Sequence, residues 1–170
     1  IDRMKARLDD PDPTGMRSIF GQLYTALGSR ARSSEIFRGA ERWWKVNFKH
    51  EHITDAGGGF RETVSNIADD LNSDRTPHCI ATPNQENDEG DVRDAWMPNP
   101  ACTDLLMYNF IGRLMAGAIQ SAESLAVRWP PFVWKKIARF PVRTLTARVG
   151  AWHQLCSADL PSEGLLRSTV

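Results

Sequence analysis

Between Thr103 and Ile119 the chain is apolar on almost every face of a helical wheel, with Leu105, Leu106, Met107, Tyr108, Phe110, Ile111, Leu114, Met115, Ala118 and Ile119 spread around it. A helix that is apolar all round belongs inside a domain, and the rest of the chain then has to wrap it. Gly112 and Gly117 weaken the helix from within, which implies that they admit a close neighbour. The expectation is a central buried helix over about 103–120. Its core is Leu106, Phe110, Ile111 and Leu114, joined by Val64 and Ile67 and by Trp134 from a later helix.

The other elements are shorter. Met16, Ile19, Phe20, Leu23, Tyr24 and Leu27 recur at helical spacing, and Gly28 ends that run. Trp44 to Lys49 alternates apolar and polar residues, the period of a half-buried strand. After a turn over 54–59, Phe60, Val64, Ile67 and Leu71 form a second helical stripe. Arg61, Glu62, Asp69 and Asp70 are placed off that face. Cys79–Thr82 and Ala95–Met97 read as short strands, and the acidic, amide-rich stretch between them, 83–94, reads as a loop. Pro131 can open a last helix through Phe132, Val133, Trp134 and Ile137. The fold class expected is α+β, mainly α-helical, with a few short strands.

Composition excludes several functions. Lys and Arg together number 21, as do Asp and Glu, so the net charge is zero and the basic excess of a nucleic-acid binder is absent. No run approaches the ~18 apolar residues of a membrane span. Three widely spaced cysteines, Cys79, Cys102 and Cys156, do not make a disulfide framework. They fit a reducing compartment, so a cytoplasmic or nuclear location is expected. Ile1 is not an initiator Met and no signal peptide follows it, which reads as a fragment of something longer.

Each candidate for chemistry has a plainer alternative. Gly57-Gly58-Gly59 before a helix resembles an anion-binding turn but lacks the Gly-Lys-Ser/Thr of a nucleotide loop. A tight turn with positive φ is the preferred reading. His50, His52, His78 and Cys79 are zinc-type donors, yet no paired C-x-x-C supports them and their spacing matches no common zinc site. The histidines are read as residues of a charged rim and Cys79 as structural, with no metal and no cofactor expected. Asp55, Arg61 and Glu62 around the glycine turn are assigned to helix capping and local ion pairs rather than acid–base catalysis. Trp43, Trp44, Trp96, Trp129 and Trp134 flank apolar elements and are read as core or its rim.

The order of the motifs is more specific than any one of them. Residues 37–48, Phe-Arg-Gly-Ala-Glu-Arg-Trp-Trp-Lys-Val-Asn-Phe, resemble the first strand of a HECT domain. Asp55 to Glu62 resembles that family's D-x-G-G-x-x-R-E helix start, carried by Asp55, Gly57, Gly58, Arg61 and Glu62. Thr82-Pro83-Asn84 and Met97-Pro98-Asn99-Pro100 resemble the two short strands that follow, with Asn99 and Pro100 in the second. Tyr108 to Ile119 resembles the F-x-G-(K/R)-L-x-G-x-A-I helix through Phe110, Gly112 and Leu114, and Pro130 to Ile137 the P-x-x-x-W-K helix through Trp134 and Lys135.

This resemblance to HECT-type ubiquitin ligases runs from about Ser18 to Ala138. It implies a two-lobed parent. The N-lobe would receive a ubiquitin-conjugating enzyme, and a C-lobe cysteine would take ubiquitin as a thioester and pass it to a substrate lysine. Three regions follow: 1–15 as a polar, turn-rich linker, 16–138 as a partial N-lobe, and 139–170 as a divergent, loosely packed tail. The tail does not resemble the family's continuation. Cys156 precedes a Leu-Pro as the catalytic cysteine does, but Leu155 and Ser157 flank it where the family has Thr and Phe, so it is read as an ordinary thiol. The chain is therefore expected to be catalytically inactive alone and prone to self-association through uncovered apolar surface. The alternative is a non-catalytic interaction module or decoy. An unrelated zinc- or anion-binding helical domain does not account for the motif order.

Overall fold

The computed structural model describes residues 1–8, 12–28, 43–49 and 58–140. Among the described residues the elements in chain order are α1 (Arg3–Ala6), α2 (Ile19–Leu27), α3 (Gly58–Leu71), β1 (Cys79–Ala81), α4 (Pro83–Asn87), β2 (Trp96–Pro98), α5 (Leu105–Ser121) and α6 (Pro131–Ile137). The fold is mainly helical α+β, as its sequence leads one to expect. β1 and β2 pair as a two-stranded sheet. Bonds from the Asn99 amide to His78 O (2.8 Å) and from the Thr82 amide to Ala95 O (3.2 Å) bracket it in an antiparallel register. Among the described residues no helix is long and apolar enough to cross a membrane.

The contacts divide the chain into two compact units. The first comprises Ile1–Ile80 and Pro98–Val127 and holds α1, α2, α3 and α5. Here α2 packs on α3. Ser18 caps α2, its Oγ accepting from the Gly21 amide at 2.9 Å and donating to Gly15 O at 2.6 Å. Gly15 takes a φ of +65°, and Gly21 lies so close to the Gly15–Met16 turn that an added Cβ would sit 2.6 Å from Met16 Cα. Phe20 meets Phe110 of α5 at 5.8 Å between ring centroids, and Tyr24 meets the same ring at 5.4 Å. A second aromatic group joins Trp43 and Trp44 to Phe60 of α3.

The second unit comprises Ala81–Met97 and, among the described residues, 128–140. The Trp96 amide donates to Arg128 O (2.8 Å), and the Asn84 side-chain amide donates to Asp91 O (2.8 Å). Pro131 opens α6, and Val133 is its buried residue.

Several expectations need correction. α5 is amphipathic rather than buried all round. Met107, Phe110, Ile111, Leu114, Gly117 and Ala118 are its buried stripe, while Leu105, Leu106 and Ile119 are 74%, 60% and 83% exposed. Leu106 thus lies outside the core, at the margin of the buried arc in the first turn of α5. Gly112 faces outward, and a Cβ added there would meet nothing within 4 Å among the described residues, so it makes no close packing there. Trp134 is 37% exposed. It leans on Trp129, with ring centroids 5.5 Å apart and its Nε1 donating to Trp129 O at 2.9 Å.

Residues 44–49 form no strand. Their alternation still buries Val46 and Phe48 and leaves Lys45, Asn47 and Lys49 out. The N-terminal amine donates to Asn47 O and the Lys49 amide donates to Ile1 O, both at 2.8 Å, which pins Ile1 to this segment. The stretch read as a loop opens with α4, capped by Thr82 with Pro83 in its first turn, and turns only at left-handed Asp88. Gly58 and Gly59 begin α3 without positive φ. Gly57 lies outside the described residues, as do Asp55, His50, His52 and the tail from 141 on.

Asp70 is the clearest misplacement. It is 1% exposed rather than off the buried face. Its Oδ2 accepts from the Phe20 amide at the start of α2 (2.9 Å), and its Oδ1 faces Arg75 Nη1 at 3.6 Å. A carboxylate there satisfies amides that the helix itself cannot. Burial raises its pKa above the ordinary carboxyl value, against the pull of the Phe20 amide and the Arg75 charge.

Candidate functional site

Among the described residues, those that the motifs single out divide between the two units. Asn99, Phe110 and Leu114 lie in the first unit and are structural. Asn99 organises the turn from β2 to α5: its side-chain amide donates to Pro77 O (2.9 Å), its Oδ1 accepts from the Ala101 amide (2.9 Å), and its carbonyl accepts from the Cys102 amide (3.1 Å). Pro100 is exposed beside it. Asp104 then caps α5, accepting from the Leu106 and Met107 amides at 3.1 and 3.2 Å.

Tyr108, one turn into α5, closes this corner. Its hydroxyl lies 2.8 Å from His78 O and 3.0 Å from Asn99 O, so one proton serves two carbonyls. Burial, reinforced by the neighbouring Cys102 and Cys79 thiols, raises its pKa far above that of an ordinary phenol. Tyr108 is therefore a neutral strut and not an acid or base. The His78 ring is buried edge-on against Phe20 (5.6 Å) and Tyr108 (5.8 Å).

Arg61 and Glu62 sit on the exposed side of α3, and their partners are remote in sequence rather than local. Arg61 Nε pairs with Glu123 at 3.2 Å. Glu62 pairs with Arg3 Nη2 at 2.6 Å, and the Arg3 guanidinium also covers the Phe48 ring at 3.7 Å. The segment 1–8 is thereby tied to α3 and to residues 46–49. Trp134 and Lys135 belong to the second unit, where Lys135 and Lys136 occupy the last turn of α6 and suit its negative end.

Cys79 is buried and Cys102 half-buried, and neither forms a disulfide among the described residues. Cys156 lies outside the described residues. Among the described residues no group of three His, Cys, Asp or Glu side chains is placed to hold a metal ion. Sequence reasoning missed one cleft of about 420 Å³, lined in part by Arg7, Asp12, Arg17, Asp74 and Arg75. Arg17 faces Asp12 at 3.7 Å, which offsets much of its charge.

Comparison with known proteins gives the wider context. The chain is 34% identical over 139 residues to the E3 ubiquitin-protein ligase HERC2 of Mus musculus, and equally to that of Homo sapiens, covering 80% of this chain. It is thus related by descent to part of a ubiquitin ligase. It spans about 3% of the length of these relatives. No family model matches the chain, and no solved structure matches it.

Proposed function

We propose that this chain is the opening part of a HECT-domain N-lobe and serves as scaffold within a ubiquitin ligase, without transferring ubiquitin by itself. The observation that carries the reading is the 34% identity to an E3 ubiquitin-protein ligase across four fifths of the chain. The motif order supports it, as does the use of Asn99, Phe110 and Leu114 as framework rather than chemistry. The parent would work with ubiquitin, a ubiquitin-conjugating enzyme and protein substrates, in the cytoplasm or nucleus.

Thioester transfer needs an accessible thiolate held near the donor thioester. Cys79 is buried and Cys102 half-buried, and the flanks of Cys156 depart from the family's catalytic pattern. The exposed apolar side chains of α5, Leu105 and Leu106 at its start and Ile119 near its end, favour a second reading: an interaction module that docks or self-associates through them.

The deciding experiment mixes the chain with activating enzyme, conjugating enzyme, ubiquitin and ATP, then resolves it on a non-reducing gel. No thiol-sensitive adduct is expected. An adduct that disappears in Cys156→Ala would make that cysteine catalytic and overturn the proposal.

A further inference from the structure

Among the described residues His78 is the most enclosed titratable base, at 1% exposed. It sits where three elements meet. Its ring lies between Phe20 of α2 and Tyr108 of α5. Its backbone carbonyl accepts from both the Tyr108 hydroxyl and the Asn99 amide. Nδ1 is buried without a hydrogen-bond partner. A neutral imidazole tolerates such a place, because one ring nitrogen needs no proton. An imidazolium does not, because it would bring a second N–H and a full charge into an aromatic slot.

We propose that His78 is an acid-sensitive lock: protonating its ring breaks the packing of α2 and α5 around the turn that leads into β1. The groups around it decide the sign. α2 presents the uncharged Phe20 ring, and the α3 carboxylate behind it, Asp70, is engaged with the Phe20 amide and Arg75. α5 presents neutral Tyr108 and, at its cap, Asp104, whose negative charge favours the imidazolium. Cys79 and Cys102 border Tyr108. Burial outweighs Asp104 and holds the His78 pKa below the ordinary value of 6.5. A base whose folded pKa is lowered contributes nothing to pH dependence above its unfolded pKa. Below it, the unfolded chain takes up the proton first, and stability falls with pH until the folded value is reached.

The test is urea unfolding of the full chain, followed by tryptophan fluorescence from pH 8 to pH 5, for wild type and His78→Gln. Gln keeps a polar side chain but cannot take the charge. In wild type the unfolding constant should rise by up to about tenfold per pH unit below about pH 6.5. The variant should lose that one-proton slope, while His50, His52 and His153 remain common to both. Identical slopes would overturn the lock. If the variant does not fold, the wild-type His78 ring is followed by NMR. A ring that stays unprotonated until the chain unfolds supports the lock, and titration in the native state at the ordinary value rejects it.

Discussion

α3 and α5 are the two long helices of the first unit, and they use their apolar residues differently. α3 is polar on average, yet Phe60, Val64, Ile67 and Leu71 are all fully buried. α5 is far richer in apolar residues, yet Leu105, Leu106 and Ile119 face outward. Sparse apolar residues at a strict period can point only one way. Abundant ones surround the helix, and the neighbours then select which arc is covered. Hydrophobic content therefore measures how much a helix is able to bury, and its phase against the neighbours measures how much it does bury.

The largest effect should come from the shared core. Phe60→Ala in α3 and Phe110→Ala in α5 should each cost about 3–5 kcal/mol in urea denaturation, because both rings are completely enclosed. A loss below about 1 kcal/mol at Phe110 would mean that the buried arc of α5 is wrongly assigned.

Next comes Asp70, the polar residue that α3 buries. Asp70→Ala leaves the Phe20 amide without its acceptor and should destabilise by about 1–3 kcal/mol. Its pH signature has the opposite sign to that of His78. A carboxyl whose folded pKa is raised adds its stability below the unfolded pKa and loses it as pH rises through the folded value. Asp70→Asn should remove that decline from denaturation curves taken through the acid range. An unchanged profile would show that the carboxylate is not desolvated as the geometry requires.

Glycine sharpens the contrast further. Gly21→Ala drives a methyl into the Gly15–Met16 turn and should cost about 1–3 kcal/mol. Gly112→Ala meets open space on the outer face of α5 and should stabilise the helix by about 0.8–1.0 kcal/mol. A destabilising Gly112→Ala in thermal melts would reveal a neighbour packed on that face.

The smallest effect on stability concerns the exposed arc itself. Replacing Leu105, Leu106 and Ile119 singly by Gln should change stability by no more than about 0.5 kcal/mol each. The same changes should lower the apparent mass in light scattering at high concentration if these side chains drive self-association. A large stability loss with no change in mass would place these residues in the chain's own core.

What was legible beforehand followed from local periodicity. The stripes of α2 and α3, the two short strands, Pro131 opening α6 and the mainly helical class all depend on residues a few positions apart, and the backbone geometry converts that spacing directly into a face. The motif order depends on sequence alone and led to the ubiquitin ligase relationship. Tertiary structure decided the rest. Leu106 and Trp134 are as apolar as their buried neighbours Met107 and Val133, and only the placement of adjoining elements separates them. Asp70 looks like any surface carboxylate until the amide end of α2 is brought against it. Residues 44–49 have the alternation of a strand, but a ladder needs a partner backbone, and the bonds to the N-terminus run through Ile1. His78 carries no local sign of its enclosure, because Phe20 and Tyr108 reach it from distant positions in the chain. Spacing defines a face, and only the neighbours decide whether that face is covered.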